Sequence, residues 1–102
     1  VALLDLNEEA AKGYADEIIA EGGIAKAYAC NVLNKEICYN VADEVLKDFG
    51  PCDILVNGAG GNNPKATTDN EYHHEAKEGG KSFFDLDDAG VDFVFKLNFQ
   101  GL

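Results

Sequence analysis

This 102-residue sequence predicts an α/β fold built on a parallel sheet. Strand-length apolar runs alternate with stretches in which apolar residues recur every three or four positions. The connections between them are short, and each transition carries a capping Asn or a Gly. Strand–helix–strand–helix–strand in that pattern is the signature of parallel strands joined by crossover helices, which are almost always right-handed.

Val1-Ala2-Leu3-Leu4 reads as a buried strand that begins without a Met or a preceding turn, and Asp5-Leu6-Asn7 ends it. Asn7 can cap the helix that follows, whose apolar face is Ala11, Tyr14, Ala15, Ile18 and Ile19. Gly22-Gly23 stops that helix. A second strand covers Ala25 to Cys30 and is closed by Asn31-Val32. Asn34 can cap a second helix with Ile37, Val41, Val45 and Phe49 facing inward, and Gly50-Pro51 terminates it. Asp53-Ile54-Leu55-Val56-Asn57 reads as a third strand running into Gly58-Ala59-Gly60-Gly61. Residues 62–81 are polar, without sustained periodicity, and a loop of that length in a compact domain is usually functional or disordered. Order resumes at Ser82-Phe83-Phe84. Asp87 or Asp88 then opens a helix bearing Val91, Val94, Phe95 and Asn98.

Composition narrows the class. With 19 acidic and 8 basic residues the formal charge is −11, and the chain has no Arg. Phosphate neutralisation on nucleic acid needs clustered Lys and Arg, so nucleic acid is an unsuitable partner. The longest apolar runs, such as 54–56, are far too short to span a bilayer, and no signal peptide is visible. Cys30, Cys38 and Cys52 form no C-x-x-C pair and read as small buried hydrophobes in a reducing cytoplasm. His73-His74 is set aside as a metal site, because adjacent residues on a helix share no face and no cysteine lies within ten positions.

In an open parallel sheet, ligands bind beyond the carboxyl ends of the strands. Asp5, Asn31 and Gly58 are therefore expected at one edge of one sheet. At the first strand end, Asp5 could accept hydrogen bonds from the ribose hydroxyls of an adenosine. Its charge would repel a 2′-phosphate, with no following Lys or Arg to offset it, which predicts NAD rather than NADP. Equally, Asp5 could serve only as a capping carboxylate before the helix. Asn31 could meet an adenine edge or simply shape the turn. The Asn57-Gly58-Ala59-Gly60-Gly61 segment removes side-chain bulk where a strand runs out, so backbone can approach a flat or charged ligand.

The run Asp53-Ile54-Leu55-Val56-Asn57-Gly58-Ala59-Gly60 resembles the D-x-L-V-N-N-A-G strand of short-chain dehydrogenases/reductases, with Gly58 in place of the second Asn. Asp5 sits where that family places its ribose-binding acid. Asn31-Val32 resembles its Asp-Val adenine contact, with Asn for Asp, and Leu97-Asn98-Phe99-Gln100-Gly101 its V-N-L-x-G helix segment. The resemblance covers nearly the whole chain. It implies part of a Rossmann-type, doubly wound parallel sheet, lacking the first βα unit and the C-terminal half, with residues 1–102 as one partial dinucleotide-binding domain. It further implies NAD as cofactor, held by Asp5, Asn31, Val32, Asn57, Gly58, Ala59 and Gly60. Asn98 is the implied catalytic contributor, turned inward to hold a water of the proton relay on a helix whose hydrogen bonding is locally disturbed.

A narrower likeness lies in Gly58–Thr68 and Ser82–Asp87, which resemble the D-mannonate oxidoreductase (fructuronate reductase) branch. It implies a sugar-acid or polyol substrate, with Asn62, Asn63, Lys65 and Thr67 on the substrate side, in a cytoplasmic homo-oligomer.

The glycine-rich pyrophosphate turn belongs about 20 residues before the ribose acid, and only four residues precede Asp5. The family's Ser and Tyr-x-x-x-Lys are not found either, since Tyr72 is followed four positions on by Ala76 and Tyr14 by Ile18. The expectation is an internal fragment, catalytically silent by itself. In the 3-2-1-4 strand order of such sheets, the strand between those ending at Asp5 and Asn57 is absent from this sequence. Two other classes share parts of the pattern. An S-adenosylmethionine-dependent methyltransferase also ends its second strand in a ribose-binding acid, but its Asn-Pro turn is not matched here, where Pro64 follows Asn57 by seven residues. A non-catalytic dinucleotide sensor on the same fold is the other.

Overall fold

The computed structural model describes residues 1–72 and 79–101. His73-His74, Ala76 and the chain end at Leu102 lie outside the described residues. The chain divides into two compact units, Val1–Asn57 and Gly58–Leu102, each considered by itself below.

In the first unit, β1 (Ala2–Asp5), α1 (Glu8–Ala20), β2 (Lys26–Ala29) and α2 (Lys35–Phe49) follow in order. The strands pair in parallel with Ala2 opposite Lys26 and Asp5 opposite Ala29, and the ladder continues through the Cys30 N–H donating to the Asp5 carbonyl at 2.9 Å. Both helices start where an Asn side chain can take an orphan N–H. Asn7 accepts from Ala10 N and Asn34 from Ile37 N, each at 3.1 Å. α1 ends as Gly22, at φ 89°, turns the chain into the left-handed region.

The core is small. Tyr28, Cys30 and Val41 are buried together, with Ala2, Ile37, Cys38 and Val45 packed against them, while α1 contributes Ala11 and Ala15. The apolar faces read from periodicity are therefore narrower than expected. Tyr14, Ile19 and Phe49 are exposed, because two short strands cover only the central stripe of each helix. Cys30 is buried and Cys38 half-buried, but Cys52, beyond α2 and outside that core, is exposed, against the expectation of three buried thiols; all three are free.

One polar tie joins β2 to α2. The Tyr28 hydroxyl and the Lys26 ammonium both donate to Asp48 Oδ2, at 2.7 and 2.6 Å. Burial, reinforced by the Asp48 hydrogen bond, pushes the Tyr28 phenol up to about 12. The same contacts, that from Lys26 foremost, hold the Asp48 carboxyl below its ordinary value.

The expected third strand is corrected. Asp53–Asn57 joins no sheet among the described residues, and Ile54, Leu55 and Val56 are 83%, 76% and 82% exposed. An extended run becomes a strand only when a neighbour takes up its backbone N–H and C=O groups. The neighbour implied by the 3-2-1-4 order is a strand this sequence does not contain.

The second unit has two short 3₁₀ turns, Pro64–Ala66 and Phe83–Asp85, then α3 (Asp88–Phe95) running into a π-helical turn, Lys96–Gln100. The polar segment between the 3₁₀ turns is closed at its base. Asp69 N–H donates to the Lys81 carbonyl at 2.9 Å, and Lys81 N–H to Asp69 Oδ2 at 2.6 Å. Asp87 is the residue that caps α3, accepting from Gly90 N at 2.9 Å. Among the described residues, no helix is long and apolar enough to cross a membrane.

Candidate functional site

At the carboxyl edge of the β1–β2 pair, Asp5 and Asn31 stand on adjacent strand ends. Asp5 is exposed, and its Oδ1 accepts the Asn7 N–H at 2.8 Å. That bond ties down one carboxylate oxygen and leaves Oδ2 able to accept further hydrogen bonds. Asn31 Oδ1 accepts the Leu33 N–H at 3.0 Å, and its carbonyl accepts the Asn34 N–H at 2.9 Å and the Cys38 thiol at 3.6 Å. Asn31 thus shapes the turn into the α2 cap, and the donor half of its amide is what it can offer an adenine edge. Val32, next in the turn, is half-buried. Asn57, the last residue of the first unit, is exposed at the end of the unpaired run. Gly58 and Ala59 are exposed at the start of the second unit, while Asp5 and Asn31 share one edge of the sheet in the first.

The glycine turn of the second unit is gripped by Asn98. Gly61 N–H donates to Asn98 Oδ1 at 3.0 Å, and Asn98 Nδ2 donates to the Gly61 carbonyl at 2.7 Å and the Val94 carbonyl at 2.8 Å. A side-chain amide has one acceptor and one donor group spaced as in a peptide, so it mimics a strand neighbour for Gly61. Gly60, having no side chain, leaves room for that grip. A Cβ there would lie 2.7 Å from Asn98 Oδ1. Beside Gly58, by contrast, a Cβ would meet nothing within 4 Å.

Asn98 departs from expectation in one respect and meets it in another. It is exposed rather than buried, because no element among the described residues covers this face of the turn. Phe95, expected to face the core, is 66% exposed as well. The anticipated disturbance is present. Asn98 sits in the π-helical turn, where Gly101 N–H reaches the Lys96 carbonyl at 2.9 Å, five residues back. Such a turn loosens the carbonyls of the helix, and the Val94 carbonyl is taken by the Asn98 side chain.

The substrate-side candidates sort themselves by what they already bind. Asn62 Oδ1 accepts Asn63 N–H at 2.8 Å, Asn63 Oδ1 accepts Lys65 N–H at 2.9 Å, and Thr67 Oγ1 donates to the Asn63 carbonyl at 3.0 Å. These three polar side chains build the turn. Lys65 is held by its backbone instead, its carbonyl accepting Asp87 N–H at 3.0 Å, and its side chain is exposed. Gly90, the buried residue of α3, permits this fit. A Cβ on it would come within 2.7 Å of Lys65 Cβ. Periodicity did not single out Gly61 or Gly90. A glycine inside a helical pattern, as at Gly90, is a signal of close packing that could have been read.

The sequence model of the short chain dehydrogenase family matches residues 1–102, and the chain belongs to that family. It is 58% identical over 102 residues to an uncharacterized oxidoreductase of Haemophilus influenzae and 45% identical over 101 residues to one of Bacillus subtilis, in each case over 99% of this chain and 36% of the relative. Among solved structures it is similar, with a TM-score of 0.92 and 58% identity, to an H. influenzae candidate D-mannonate oxidoreductase with bound NAD, over 98% of this chain and 36% of that one. The fold is accordingly part of a Rossmann-type parallel sheet, and the chain spans about a third of the length of the relatives it matches.

Proposed function

We propose that the chain is the dinucleotide-side part of an NAD-dependent oxidoreductase that interconverts a hydroxyl and a keto group on a sugar acid of the mannonate/fructuronate type. The observation that carries this reading is the likeness along 98% of the chain to a protein solved with NAD. The local geometry is compatible with that cofactor. Asp5 offers an oriented carboxylate, Asn31 an amide at the adjoining strand end, and Gly58–Gly60 a bare backbone. NAD, when bound, supplies the hydride acceptor. Asp5 Oδ2 accepts the adenosine ribose hydroxyls and keeps a 2′-phosphate out by charge. Asn57, Ala59 and Gly60 shape the backbone beneath the nicotinamide side. Asn98, by clamping Gly61, sets where that backbone lies, and it holds a water of the proton relay. The same reading makes the full-length enzyme a cytoplasmic homo-oligomer. The test is NAD reduction by the full-length protein with D-mannonate. Turnover of D-mannonate with NAD supports the reading, and turnover of neutral polyols alone would remove the sugar-acid assignment.

A further inference from the structure

We propose that Lys65 is the residue that binds the substrate carboxylate and so makes the site selective for a sugar acid over the corresponding neutral polyol. This rests on the reading of the substrate class just given and deepens it. The starting point is charge. A substrate carboxylate is held best by a cation that no other group already pairs with. In the unit that carries the glycine turn, the described lysines are Lys65, Lys81 and Lys96. Lys96 is paired with Asp92 one helical turn away, and the Lys81 ammonium donates to the Pro64 carbonyl. Among the described residues of this unit, Lys65 is the lysine whose ammonium is not engaged.

Its base is nonetheless fixed from three sides. Asn63 Oδ1 takes its N–H at 2.9 Å, Asp87 N–H takes hold of its carbonyl at 3.0 Å, and the missing side chain of Gly90 lets its Cβ press onto α3. The polar side chains around it are spent on making that turn. Held in this way, the residue loses backbone freedom before the ligand arrives, which is how a long side chain becomes a defined anion contact.

The reach is compatible. Lys65 lies four positions after Gly61, so their Cα atoms are at most about 14 Å apart, and the turn at Asn63 shortens that. A lysine side chain extends about 6 Å, and the reacting carbon and the carboxylate of a six-carbon sugar acid stand about 5 Å apart. An ammonium from Lys65 can meet the carboxylate while the reacting carbon lies against the glycine turn. An amine is a point charge with three donors, suited to a carboxylate that also keeps water.

The experiment compares D-mannonate with the neutral polyol of the same carbon skeleton in the full-length enzyme, as wild type, Lys65→Met and Lys65→Arg. Met keeps the stem and its packing. Removing a charge-assisted contact of this kind should lower kcat/KM for D-mannonate about 10- to 100-fold, chiefly through KM, and leave the polyol within about twofold. Lys65→Arg should recover most of the loss. Calorimetric titration of D-mannonate onto the NAD-loaded protein should weaken by the same factor, with NAD binding unchanged. Equal losses on both substrates would show that Lys65 only supports the loop, and unchanged kinetics would show that it has no part in recognition. Either result overturns the proposal while leaving the sugar-acid reading intact. Failure of the wild type itself to turn over D-mannonate would instead overturn that reading, and this inference with it.

Discussion

The two compact units of this chain are held together by different means. Val1–Asn57 has a hydrogen-bonded ladder and a buried cluster of Tyr28, Cys30 and Val41. In Gly58–Leu102 the buried residue among those described is a glycine, Gly90, and cohesion comes from side chains binding backbone: Asn98 on Gly61, Asp69 on Lys81, Asp87 on Gly90. A core of apolar side chains tolerates substitutions of similar volume, whereas a turn held by two or three directed hydrogen bonds does not. The unit assigned to adenosine is thus the forgiving one. The unit assigned to the reacting end is the exacting one.

That contrast can be broken most severely at Asn98. In the full-length enzyme, Asn98→Ala is expected to lower kcat about 100-fold or more while NADH dissociation changes only a few-fold, because the relay and the Gly61 clamp are lost and Asp5 and Asn31 are untouched. Stopped-flow turnover and fluorescence titration of NADH measure the two separately. Weaker NADH binding with unchanged kcat would mean that Asn98 is structural only. Next in size is Gly60→Ala, which puts a methyl group 2.7 Å from Asn98 Oδ1. Forcing that contact should cost about 1–3 kcal/mol in urea unfolding and lower kcat in parallel. Gly58→Ala, with open space around it in this chain, should cost markedly less stability; equal losses would contradict the clamp.

The smallest expected effect lies in the first unit. Tyr28 ionises at about 12 rather than its ordinary 10.0. A group whose folded value is raised favours the fold while protonated, so its contribution is complete below pH 10 and fades as the pH rises toward 12. Asp48 runs the other way. Its folded value is depressed, so its contribution holds above the ordinary carboxylate range and is lost as acid protonates it. Thermal unfolding of Tyr28→Phe should lack the wild type's alkaline decline and should be weaker at neutral pH by about 0.5–1.5 kcal/mol for the lost hydrogen bond. An identical alkaline profile in both proteins would remove Tyr28 from this role.

The same division explains what was legible in the sequence. The first unit is written in local signals: Asn7 and Asn34 cap the helices that follow them, and Gly22 and Gly50 end them. The Asp53–Asn57 run carries an equally good strand pattern, yet a strand depends on a neighbour, and the pattern cannot supply one. Asn98 and its irregular helix could be anticipated from the resemblance alone. Its grip on Gly61, 37 residues away, could not, nor could the fit of Gly90 against Lys65, because pairing at a distance leaves no period. In the polar run 62–81, the described residues show no period because their order is made of side chain–backbone bonds rather than an apolar face.

Asp5, oriented by the Asn7 N–H at 2.8 Å, is proposed to read the adenosine ribose of NAD. The ratio of kcat/KM for NADH to that for NADPH in the full-length enzyme tests it most directly. With the Asp5 carboxylate at the 2′ position, as proposed, the ratio should favour NADH by at least about tenfold. It should collapse toward unity in Asp5→Ala. Equal values for the two cofactors in the wild type would contradict the account and take Asp5 out of the cofactor site.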